Sequence, residues 1–114
     1  MPARPWESRL RDIINAIQKI ERYTRGMARE AFAADDMAID AVVRNLIVLG
    51  EASRHIPPAV ETRHPEVPWE KMRGIRNVVV HEYFGVDAEI LWQTARDDLP
   101  PLLPLLERVL RESS

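Results

Sequence analysis

The chain has no cysteine, so it can hold neither a disulfide framework nor a thiolate metal site, and this usage suits an intracellular protein. No uninterrupted apolar run approaches the ~20 residues that span a bilayer. The opening MPARPWESRLRD also lacks the apolar stretch that follows the basic residues of a signal peptide. A soluble, cytoplasmic protein without a membrane segment is expected. The four glycines stand alone at 26, 50, 74 and 85, which excludes a glycine-rich loop that cradles phosphates. The three histidines, His55, His64 and His81, lack the i, i+4 spacing of a helical zinc motif, and no cluster of carboxylates accompanies them. Neither a metal nor another cofactor is expected. A surplus of one charge is missing too. Sixteen basic residues against eighteen acidic ones give a formal charge of −2, so any contact with a nucleic acid must come from a local patch. No segment alternates like a strand, and nothing repeats.

What is present is helical periodicity. At 114 residues the chain fits one domain, 1–114, because two halves would each be too small to bury a core. From Pro5 to Tyr23, Trp6, Leu10, Ile13, Ile14, Ile17 and Ile20 recur at threes and fours and predict a first amphipathic helix. TRGMAREAFAADD interrupts that pattern at Gly26 and ends in two aspartates, either of which could cap a second helix over about Asp36 to His55. Its stripe is Ile39, Val42, Val43, Leu46, Ile47 and Leu49, and Gly50, along the same helix, permits close approach of a neighbour. The next stretch, IPPAVETRHPEVPW, carries four prolines and reads as a connector with at most a short turn. A third helix is expected from near Pro68 to Gly85, closed by that glycine. A fourth, capped by Asp87, runs through Ile90, Leu91, Trp92 and Leu99 to a kink or restart at Pro100, Pro101 and Pro104. Four or five helices with short connections predict an all-α bundle.

The stretch GIRNVVVHEYFGVD on the third helix gathers Arg76, Asn77, His81 and Tyr83 around three valines. One reading is an ordinary helix face with Val78 and Val79 buried, Arg76 and Glu82 solvated, and the histidine and tyrosine half-covered. The other is a site. At 100° per residue, Tyr83 falls about 20° from Arg76, but Arg76 and His81 diverge by roughly 140°. In a monomer with a straight helix, those two side chains would not meet on one small group. A two-fold dimer can unite them by setting one copy's row against the other's, with interface positions around Arg76, Val80 and Tyr83. Three adjacent β-branched residues are mediocre helix formers, and local rules tend to be broken where packing or function demands it. Glu51, in LGEASR, reads either as a solvated helix charge, the default for an exposed glutamate, or as a carboxylate held against an arginine in a groove.

With RNVVVHEY laid out as R-x4-H-x-Y, the sequence resembles the HEPN superfamily and, within it, the HepT-like toxins. That pattern alone is expected by chance about once per hundred chains of this length. Further segments add to it: LGEASRHIP, HPEVPWEKMRGIRN and YFGVDAEILWQTARDDLPPL also resemble the family, so the likeness covers about Leu10 to Leu106. Ile75 departs from the methionine frequent there. The resemblance implies a homodimeric HEPN-like bundle of four or five helices, with both motifs lining a cleft, and metal-independent endoribonuclease activity. In it Arg76 and His81 are the catalytic pair, Asn77 orients the site and Tyr83 is the motif tyrosine; Glu51 is expected as a second supporting residue. It further implies a toxin of a type VII-like toxin–antitoxin pair, whose partner, a minimal nucleotidyltransferase antitoxin, transfers AMP to Tyr83. Arg63, His64, Lys71, Arg73 and Arg76 are close enough in sequence to supply a basic patch for RNA. The alternative is a non-catalytic helical module that docks, or binds a nucleotide for, a nucleotidyltransferase.

Overall fold

The computed structural model describes residues 5–81 and 87–113, the side chains of 77, 78, 80 and 81 aside. The described residues form seven helices and no strand: α1 Trp6–Thr24, α2 Arg29–Ala33, α3 Asp36–Ser53, α4 Pro58–Arg63, α5 Trp69–His81, α6 Ala88–Gln93 and α7 Leu102–Glu112, with a π-helical segment Thr94–Asp98 after α6. No helix among them is long and apolar enough to cross a membrane.

The centre is α3, which packs against α1 on one side and α5 on the other. That position explains its composition. Val42, Val43, Leu46 and Leu49 are buried, as are the small residues Ala38, Gly50, Ala52 and Ser53, so burial covers far more of its circumference than one stripe. Its two buried polar side chains turn back on the helix: Asn45 Nδ2 donates to the Ala41 carbonyl at 2.8 Å, and Ser53 Oγ to that of Leu49 at 2.7 Å. Such back-bonding satisfies polar groups that would otherwise cost about 1–3 kcal/mol each. The α1 stripe is buried as its spacing predicts, from Leu10 through Ile13, Ile14, Ile17 and Ile20, and α1 also meets α7 and the π-helical segment. Of the two aspartates before α3, Asp35 is the cap, its side chain accepting from the Ala38 N–H at 3.0 Å. Asp87 caps α6 through the Glu89 N–H.

Seven helices replace the four or five expected. The extra ones are short and owe their existence to tertiary contacts rather than to propensity. Gly26, at φ 76°, ends α1 in a left-handed turn, after which α2 holds the fully buried Phe32 against Trp92 of α6, ring centroids 5.4 Å apart. The proline-rich connector folds into α4 around buried Val60, with Pro57 and Pro58 at its start, where a missing N–H costs nothing. The restart at the prolines is real: Leu99 N–H reaches back to the Thr94 carbonyl at 3.0 Å in a π-type turn, and α7 begins at Leu102 with Pro104 in its first turn. The expected end of the third helix at Gly85 lies outside the described residues.

Candidate functional site

The α5 helix enters through Trp69, which is buried and donates its indole N–H to the His64 carbonyl at 2.9 Å. Trp69, Met72 and Val79 then face the core. On the helical register Arg76 lies within about 60° of each of these three positions, so it stands at the inner edge of α5 rather than on its solvent side. There α3 packs close against it. A Cβ built on Gly50 would lie 2.7 Å from the Arg76 Cβ and 2.8 Å from its backbone N. Only a residue without a side chain allows the two backbones this approach.

The next residue of α3 engages the arginine. Arg76 Nε lies 3.1 Å from Glu51 Oε2, with the two side chains 38% and 45% exposed. Glu51 thus lies against an arginine while its side chain stays partly exposed to solvent. The same oxygen is 3.7 Å from Arg54 Nη1, one helical turn on. Ion pairs this exposed contribute only ~0–1 kcal/mol to stability. Their effect is orientation: an arginine whose Cβ abuts Gly50 and whose Nε faces a carboxylate has few rotamers left. Arg54 is absent from the residues that the sequence singles out, although its i, i+3 spacing from Glu51 is visible there.

Arg73 pairs with Glu61 of α4. His64 is only 9% exposed, and its Nδ1 faces Glu66 at 3.5 Å. The bond that its carbonyl accepts from the Trp69 indole holds this turn of the connector against the core. Arg63 and Lys71 are exposed. The backbone of α5 is helical through His81, valines included, so positions 76 and 81 keep their separation of roughly 140° around the axis. The side chains of Asn77 and His81, and all of Tyr83, lie outside the described residues, as does the Val80 side chain named for an interface. Among the described residues no group of histidines and carboxylates could hold a metal ion.

This part of the molecule can present an oriented guanidinium, with a second one close by, to an anion beside α3 and α5. The comparisons with known proteins concern the same segments. The family model described as "Ribonuclease HepT-like" matches residues 13–109. A protein named as a probable ribonuclease HepT from Thermococcus cleftensis is 42% identical over 100 residues, 88% of this chain and 91% of that one. One named as an RNase from Methanocaldococcus jannaschii is 33% identical over 112 residues, 98% of this chain and 93% of its own. Another, from Caldanaerobacter subterraneus, is 36% identical over 93 residues, 82% of each. No solved structure matches the chain significantly.

Gly50→Ala is expected to push the Arg76 backbone away and cost about 1–3 kcal/mol through overpacking, read as a fall in midpoint by urea unfolding. An alanine variant as stable as the parent would mean that the two helices do not approach as closely as described.

Proposed function

The chain belongs to the ribonuclease HepT-like family, and from that premise we propose that it is a metal-independent endoribonuclease with Arg76 and His81 as its catalytic pair. The observation that carries this reading is that two separate segments of the family likeness meet in space. Gly50 and Glu51 of LGEASR hold Arg76, the first residue of R-x4-H-x-Y.

The chemistry requires a base, an acid and a group to neutralise developing charge. Histidine titrates near neutrality, so His81 can take the proton from a ribose 2′-hydroxyl. The 2′-oxygen then forms a bond to phosphorus, the bond from phosphorus to the 5′-oxygen breaks, and the leaving oxygen receives a proton. The products are a 2′,3′-cyclic phosphate and a 5′-hydroxyl. Charge growing on the non-bridging oxygens would be met by the Arg76 guanidinium, which is already oriented and need not reorganise during the reaction. Because positions 76 and 81 diverge around α5, the working site is assembled across a two-fold axis, each copy's arginine facing the other's histidine. Asn77 orients the site.

The same reading makes the protein a toxin whose nucleotidyltransferase antitoxin transfers AMP from ATP to the Tyr83 hydroxyl, releasing pyrophosphate. On an α5 that continued to it, position 83 falls about 20° from position 76 and roughly 10.5 Å along the axis. An added AMP phosphate would there compete with RNA for Arg76 by charge and bulk.

Cleavage of RNA by the purified protein is expected to survive EDTA and to fall by ~10²–10⁴-fold in His81→Ala, with a comparable loss in Arg76→Ala, while circular dichroism stays unchanged. A parent protein that cuts no RNA and is harmless when expressed would favour the non-catalytic module. An acyclic 2′- or 3′-phosphate as the first product would contradict attack by the 2′-hydroxyl. For the modification, intact-mass spectrometry after co-expression with the nucleotidyltransferase should show added AMP on the parent and none on Tyr83→Phe. An unmodified parent in a non-toxic complex would mean that the partner silences by covering the site.

A further inference from the structure

We propose that Arg54 is a second phosphate-binding residue, which receives the RNA backbone beside the phosphate held by Arg76. The inference rests on the ribonuclease reading and adds to it a residue that the motif does not contain.

Two guanidinium groups share one carboxylate oxygen here. Glu51 Oε2 lies 3.1 Å from Arg76 Nε and 3.7 Å from Arg54 Nη1, so the cluster carries one positive charge that Glu51 does not balance. Elsewhere among the described residues Arg73 lies against Glu61, Arg108 against Glu112, and Arg29 against both Glu30 and Glu89. The two contacts of Glu51 are also unequal. Arg54, with its side chain 59% exposed, sits beyond hydrogen-bonding distance of the carboxylate. An exposed pair of that kind costs almost nothing to separate. The guanidinium can thus swing to an incoming phosphate, where the bonds are charge-assisted and two-pronged, while Glu51 keeps its closer partner, Arg76. The resulting row of two cations suits a single strand, whose successive phosphates can be met one by one.

Arg54 also stands at the C-terminal cap of α3, where a cation favours the negative end of the helix dipole. If that were its whole role, its removal would lower stability and leave RNA binding alone. The test is binding of a fully 2′-O-methylated single-stranded oligonucleotide, which lacks the attacking hydroxyl and stays uncut. Fluorescence anisotropy would follow it across a series of potassium chloride concentrations, with parent, Arg54→Gln, Arg54→Lys and Arg108→Gln compared. Loss of one phosphate contact should lower the slope of log affinity against log salt by about 0.7 in Arg54→Gln. Arg54→Lys should retain most of the slope, and Arg108→Gln, remote in sequence and paired, should match the parent. A parent slope in Arg54→Gln overturns the proposal, and so does an equal fall in Arg54→Gln and Arg108→Gln, which would reflect bulk charge. If the parent itself does not bind, both this inference and the ribonuclease reading fail, whereas binding by the parent with an unchanged Arg54→Gln defeats this inference alone.

Discussion

At Gly50 and Arg76 the backbones of α3 and α5 approach so closely that a single methyl group would collide with both the arginine's Cβ and its amide nitrogen. Much of the site depends on that contact. It puts a long cationic side chain at the inner edge of α5, beside a core formed by Trp69, Met72 and Val79, instead of in open solvent. It also brings the following residue, Glu51, within 3.1 Å of Nε. A surface ion pair between two freely moving chains loses most of its Coulomb gain to entropy and screening. Here the helix packing has already restricted the arginine, so the carboxylate needs only to select an orientation.

The same constraint separates the two residues of the proposed pair. A guanidinium on the inner edge of α5 and a residue five positions later on a continuous helix point in different directions, and helical geometry offers no correction short of a kink. The backbone through His81 is regular helix. A site that uses both residues therefore needs either a second copy of the chain or a substrate that wraps the helix, and the symmetric dimer is the simpler arrangement. On this account the packing that fixes the arginine and the symmetry that completes the site are consequences of one helix register.

Much of this was legible in the residues because burial has a period. The α1 and α3 stripes are apolar where the fold buries them, Asp35 and Asp87 sit where orphan N–H groups need an acceptor, and a lone Gly50 in a helix is a cue to close approach. Short elements were not legible. No pattern of one or two turns reveals that Phe32 will stack near Trp92 or that the proline-rich connector will coil around Val60, since those elements are stabilised by contacts with distant parts of the chain. Pairings across the chain were hidden for the same reason. Glu51 is partly solvated, as an isolated glutamate is expected to be, but its partner Arg76 is on another helix and cannot be read from its neighbours in sequence; the burial of His64 is hidden likewise, because Trp69 bonds its carbonyl and not its ring. Family likeness, not periodicity, is the source of the roles proposed for Arg76, His81 and Tyr83.

The claim that the arginine and histidine of one site come from different copies is tested most directly by mixing. Arg76→Ala and His81→Ala proteins, each inactive alone, would be unfolded, combined in equal amounts, refolded and assayed on RNA. Random pairing would make about half of the dimers mixed, each with one intact site of two, so the mixture should recover roughly a quarter of the parent's activity. A mixture no more active than its two components would contradict the shared site.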